Sequence, residues 1–210
     1  MNVKGRDPFI DIIRGIATIL VVVGHIPYTP FLVRAWIYTF HVPLFFLCSG
    51  LLFSTQRYPK FKDFLIARVR GLLIPLFSLG IIVRLLQVVI SFGISRLPGA
   101  LPDYAVPLEP VNLILSLVLG WRGTDYYFTF WFLYVLFLGE IVFYFLVKLL
   151  KKKWYFYAIL IVAGLALQAV VAGFVKGFIW STDALPACIA FLSAGYLYKI
   201  LMYDKGIHFP

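Results

Sequence analysis

The chain is poor in charge, and poorest in negative charge. Aspartate and glutamate together number 9 against 19 lysines and arginines, and charged residues make up 13% of the 210 positions. A soluble domain carries about twice that share. Cysteine is scarce as well. Cys48 and Cys188 both sit inside apolar runs, which excludes a disulfide framework, a CxxC pair and zinc spacing, and leaves small packing residues. No metal is therefore expected. What fills the chain is apolar: 62% hydrophobic and 19% aromatic residues, with a mean hydropathy of +0.95. A disordered chain, a collagen-like chain and an ordinary soluble globule are ruled out. Each membrane span takes about 20 residues, so about six fit this length. The net charge of +10 then reads as topology, because basic residues collect in cytoplasmic loops. No compact basic domain outside the apolar runs offers a surface to nucleic acid.

The first span is expected over Phe9–Tyr28, behind Lys4 and Arg6, and it lacks the small-residue cleavage site of a removed signal peptide. The second covers Ala35–Phe53. A polar loop, Ser54–Gly71, carries Arg57, Lys60, Lys62, Arg68 and Arg70 ahead of a third span over Leu72–Gly93. Four prolines between Leu97 and Pro110 mark a connection, since proline cannot donate to a helical ladder. The apolar segment Val111–Gly120 reaches only about 15 Å as a helix, half a bilayer. If it does not span, the later cluster Lys148, Lys151, Lys152 and Lys153 falls on the same side as the first basic loop, as the positive-inside rule prefers. Further spans are expected over Tyr126–Val147, Trp154–Gly173 and Ala184–Met202. The expectation is an all-α, polytopic membrane helix bundle of about six spans plus one short interfacial or re-entrant segment. Residues 1–203 form the membrane domain and 204–210 a tail, with both termini and both basic clusters in the cytoplasm of a bacterial cell. Asp103, Glu109, Asp125 and Asp183 fall in connections and are expected to be solvated, and His208 is incidental in the tail.

The chemistry-bearing residues begin in the first span. Arg14 and His25 are 11 positions apart, three helical turns plus about 20°, so they share one face with about 16 Å between them along the axis. Asp11 lies one turn before Arg14 and is placed to pair with it. Charges in lipid are costly, so this face should point into the bundle or a wet cavity. A second histidine, His41, opens the run His41-Val42-Pro43-Leu44-Phe45-Phe46 and should lie at the depth of His25. His41 suits either a packing role or chemistry. A neutral imidazole can take a proton from a hydroxyl, as acyl transfer to an alcohol requires. Arg84 and Glu140 are two more intramembrane charges, read either as a mutual pair or as the lining of a channel.

In order and placement, Asp11, Arg14 and His25, the run Phe40–Phe46 with Ser49-Gly50, Leu72-Leu73-Ile74-Pro75, Trp131-Phe132-Leu133 and Leu192-Ser193-Ala194-Gly195-Tyr196 form one series. That series resembles the acyltransferase 3 family of multi-span membrane O-acyltransferases, from about Asp7 to Tyr203. The resemblance implies transfer of an acyl group, usually acetyl, from cytoplasmic acyl-CoA to a hydroxyl of a cell-surface carbohydrate or related acceptor, with His25 as general base. It also implies two arginines three apart before the third span. Arg68 fits the first, but Gly71 stands at the second position and Arg70 is one residue early. Arg68 and Arg70 are thus candidates for the phosphates of the donor or for anionic lipid, while Arg14 would hold a phosphate, a carbonyl or Asp11. The family's longer members carry further spans, so this chain corresponds to the motif-bearing front part. Two other readings stand beside this one: a transporter or flippase-like protein using Arg14, His25, Arg84 and Glu140 as a path, and an inactive fragment of an acyltransferase. The oligomeric state is open.

Overall fold

A computed structural model describes residues 8–94, 117–120, 131–174 and 178–204. Within them the regular structure is helical: α1 (Pro8–Gly24), α2 (Phe31–Leu52), α3 (Phe61–Arg68), a π-helical turn (Val69–Leu73), α4 (Ile74–Ile94), α5 (Trp131–Leu150), α6 (Trp154–Phe174), a 3₁₀ turn (Ile179–Ala184) and α7 (Leu185–Asp204). Five of these helical stretches are long and apolar enough to cross a membrane, with α3, the π turn and most of α4 counting as one. At 17 residues α1 sits at the short limit for a span.

Boundaries shift where local chemistry overrides hydropathy. α1 ends at Gly24, before Pro27 and Pro30, so the first helix is shorter than the apolar run and His25 lies just past it. α2 starts earlier than hydropathy suggests, at Phe31 with Pro30 as its N-cap. The largest correction concerns the basic stretch before the third span. Residues 61–68 are helical and continue through the π turn into α4, a path of about 50 Å against about 30 Å of hydrocarbon. Arg68 therefore belongs to the bundle and not to a loop. Asp183 is also corrected: it is buried beside the start of α7, not solvated. Most of Val111–Gly120, and Asp103, Glu109, Asp125 and His208, lie outside the described residues. Leu117–Gly120 is tied to the turn before α7, because Trp180 Nε1 donates to Val118 O at 2.8 Å and Ser181 Oγ to Gly120 O at 3.3 Å.

The core lies where α2, α5 and α7 meet, around Phe46, Phe53, Phe143, Tyr144, Cys188, Leu192 and Tyr196. α2 and α7 approach through glycine. A Cβ added at Gly50 would collide with the carbonyl oxygen of Leu192, and one at Gly195 with that of Leu47. Small residues allow such backbone approach in lipid, where van der Waals packing replaces the hydrophobic drive. The outward faces are apolar instead: Ile12, Ile16 and Ile19 of α1, Leu85 and Val89 of α4, and Val162 and Val170 of α6 are all exposed, as a lipid-facing surface requires.

Both basic clusters sit at one end of the bundle. Lys148 Nζ donates to Pro59 O at 2.9 Å, and Tyr144 Oη reaches the carbonyls of Tyr58 and Pro59 at 3.2 and 3.1 Å. This basic end also receives the start of α1 and the end of α7. The opposite end carries His25 and the 3₁₀ turn.

Candidate functional site

Two chambers enter the bundle from its two ends and meet inside it. Toward the basic end a cavity of about 540 Å³ is lined by Arg14, Arg57, Arg68 and Glu140, with Ser49 and Tyr58. Toward the other end a cavity of about 630 Å³ is lined by His25, His41, Tyr38, Trp131 and Gln168. Val21 and Phe132 line both, so these two side chains form the wall between an arginine chamber and a histidine chamber.

The face of α1 builds this arrangement. Arg14, Thr18 and Val21 face the arginine chamber, and Val21 and His25 face the histidine chamber. Their spacing keeps them on one helical stripe. Arg14 approaches the thiol of Cys48 and lies within electrostatic reach of Glu140. Arg68 Nε stands 3.0 Å from Glu140 Oε2, midway along α5. It is a contact between charges and not a well-aligned hydrogen bond. Glu140 is 2% exposed, so Arg68 and Arg14 offset a carboxylate that lipid would not tolerate alone.

Both histidines are held in the same way. His25 Nδ1 lies 2.7 Å from Val21 O and His41 Nδ1 lies 2.8 Å from Ile37 O. A carbonyl only accepts, so Nδ1 carries the proton in each ring, and the neutral ring leaves its lone pair on Nε2. Tyr38 stands between them, 5.7 Å from the His25 ring and 5.3 Å from the His41 ring, and its hydroxyl donates to Gly24 O at 2.9 Å. It pins the end of α1 to α2. Gln168, on the apolar α6, gives its Oε1 to the N–H of Ala187 at 3.2 Å, capping a free donor at the start of α7.

Of the residues picked from sequence, the structure brings Arg14 and Arg68 to one chamber and His25 and His41 to the other. Two are not brought in. Asp11 is exposed in the first turn of α1 and lines neither chamber. Arg70 is exposed and lines neither chamber, whereas Gly71 lines the arginine chamber. The π turn begins just after Arg68, so Arg68 faces in and Arg70 out. The pairing of Arg84 with Glu140 is also corrected. Glu140 goes to Arg68, and the buried Arg84 donates to Gln87 Oε1 at 2.9 Å. Tyr38, Arg57 and Gln168 were not singled out from sequence. Tyr38 stands one turn before His41 on α2, the spacing that could have marked it.

Neither curated proteins nor solved structures give a match to the chain. A family model described as an acyltransferase domain does match, over residues 7–206. With nearly the whole length covered, the chain belongs to the acyltransferase 3 family of membrane acyltransferases.

Proposed function

We propose that the protein is a membrane O-acetyltransferase working across the bilayer of a bacterial cell. Acyl-CoA, acetyl-CoA in the first instance, enters the arginine chamber from the cytoplasm, and a hydroxyl of a cell-surface carbohydrate or related acceptor enters the histidine chamber. The positive-inside rule supports this orientation, since both lysine- and arginine-rich clusters lie at the arginine end. The observation that carries the reading is the meeting of the two chambers at Val21 and Phe132, where a thioester from one end and a hydroxyl from the other could come within bonding distance. Coenzyme A carries phosphates that cannot enter lipid. Arg14 and Arg68 would hold the anionic or carbonyl groups of the donor while its thin arm passes inward.

His25 is the base in this scheme. Its Nε2 takes the acceptor's proton as the hydroxyl oxygen bonds to the thioester carbonyl carbon. The carbon–sulfur bond then breaks and the proton passes to the departing thiolate, leaving an ester and free coenzyme A. His41, with the same tautomer and in the same chamber, would orient the acceptor.

The test uses the full chain in liposomes, labelled acetyl-CoA and extracted surface glycan. His25→Ala should lower transfer by about 10²- to 10⁴-fold. Because His25 is exposed, the variant should fold as the parent does. Wild-type transfer by His25→Ala would remove the histidine from the chemistry. His41→Ala should instead raise the acceptor KM more than it lowers kcat.

A further inference from the structure

A third cavity, of about 490 Å³, opens at the basic end and is lined by Lys148, Lys151, Lys152 and Lys199, together with Ser54 and Thr55. Its volume is in the range of small-molecule sites. Among the described residues, no carboxylate lines it. Lys199 comes from α7, and the other three come from the end of α5 and the turn after it. Lys152 and Lys199 are close enough to repel each other. A topology signal alone requires only that lysines be on the right side of the membrane. It does not require four of them, from two helices, around one concave space.

Backbone strain points the same way. Lys151 has φ of 55°, the left-handed position that closes α5, where glycine or asparagine is the favoured residue. A lysine there costs conformational energy that glycine would spare. Two of the other lysines are already aimed. Lys148 donates to Pro59 O, and Lys199 Nζ donates to Phe53 O at 2.7 Å, so each ammonium is held at the rim with donors to spare. Ser54 also lines the arginine chamber, so the two positive spaces are neighbours.

We propose that this lysine chamber binds a phosphate-bearing polyanion, and that its occupant is the phosphorylated nucleotide end of the acyl donor, whose arm then runs past Ser54 into the arginine chamber. The assignment rests on the donor reading given above and extends it to residues outside the family's motif series. The shared chemistry, clustered phosphate oxygen, also belongs to anionic lipid headgroups, and the experiment separates the two.

The full chain is placed in discs of neutral lipid, and binding of coenzyme A is measured directly, with inorganic pyrophosphate as competitor. Pyrophosphate should displace coenzyme A. Lys151→Gln with Lys199→Gln should weaken coenzyme A binding by about tenfold or more. Lys153→Gln, an exposed neighbour that does not line the cavity, should leave it unchanged. Lys151→Gly provides the variant that cannot be dismissed as misfolded. It relieves the left-handed position, so thermal stability should hold or rise while coenzyme A binding falls several-fold. Coenzyme A binding as tight in Lys151→Gly and the double variant as in the parent overturns the site. If pyrophosphate and coenzyme A bind no more weakly in those variants while phosphatidylglycerol binding does weaken, the occupant is a lipid headgroup and the donor assignment fails. The acyl-transfer reading fails differently: no transfer to any hydroxyl while lysine-dependent coenzyme A binding persists.

Discussion

Arg68 shows how much a single side chain's neighbours decide. In sequence it is one of five basic residues in a polar stretch, and apart from the motif spacing that Arg68 fits, nothing separates it from Arg70. In the bundle it meets Glu140 and Arg70 meets solvent. Removing Arg68 leaves a carboxylate that is almost fully buried. Breaking a buried pair costs about 3–5 kcal/mol, and with Arg68 itself 27% exposed the lower end applies, about 3 kcal/mol. Arg68→Ala should therefore unfold in detergent at a clearly lower temperature than the parent. Arg68→Met combined with Glu140→Leu should restore most of that loss without restoring transfer. If Arg68→Ala melts with the parent, the pair contributes nothing to stability. Gly71 supports a second prediction. A Cβ there meets no atom within 4 Å, so Gly71→Arg should fold. It should also lower the donor KM by adding a guanidinium to the arginine chamber, and an unchanged KM would mean that this wall does not touch the donor.

At the scale of elements, the π turn and the α2–α7 contact set the geometry. A π turn inserts one extra residue into the helical repeat and is common at functional sites. Here it begins just after Arg68 and carries Gly71 and Leu72, which line the arginine chamber with Arg68. The α2–α7 contact is the tightest backbone approach in the core, and Gly195 is its pivot. Gly195→Ala should push α2 away from α7 and cost about 1–3 kcal/mol, read as a drop in detergent unfolding temperature. Gly15→Ala is the control. It has open space around it, and loss of a helix-interior glycine should add up to about 1 kcal/mol. Equal melting of the two variants would mean that the close approach is not what holds these helices. The motif pairs Ser49-Gly50 and Ala194-Gly195 thus have a structural meaning that their spacing alone does not reveal.

At the scale of the molecule, the two basic clusters mark one end and the histidines the other. Thr55→Cys and Lys152→Cys should be labelled by an impermeant maleimide from the same side of the membrane, and Tyr28→Cys from the opposite side. The buried Cys48 and Cys188 add little background. Labelling of Thr55→Cys and Lys152→Cys from opposite sides would overturn the arrangement. Much of this was legible in the sequence. Long apolar runs with few charges leave a helix as the way to satisfy every backbone group in lipid, so composition determined the helical membrane bundle, though not the exact span boundaries. The stripe from Arg14 to His25 was legible too, because helical spacing is local. Pairings between helices were not. Glu140 could have met Arg84 or Arg68, since spacing along one helix says nothing about which face of another it meets. Only the packing of α1 against α2, and of the helices through α3 and α5, chose Arg68 for Glu140, set Tyr38 between two histidines and brought two chambers together at Val21 and Phe132. Hydropathy acts on each segment alone, whereas a site depends on which surfaces come into contact.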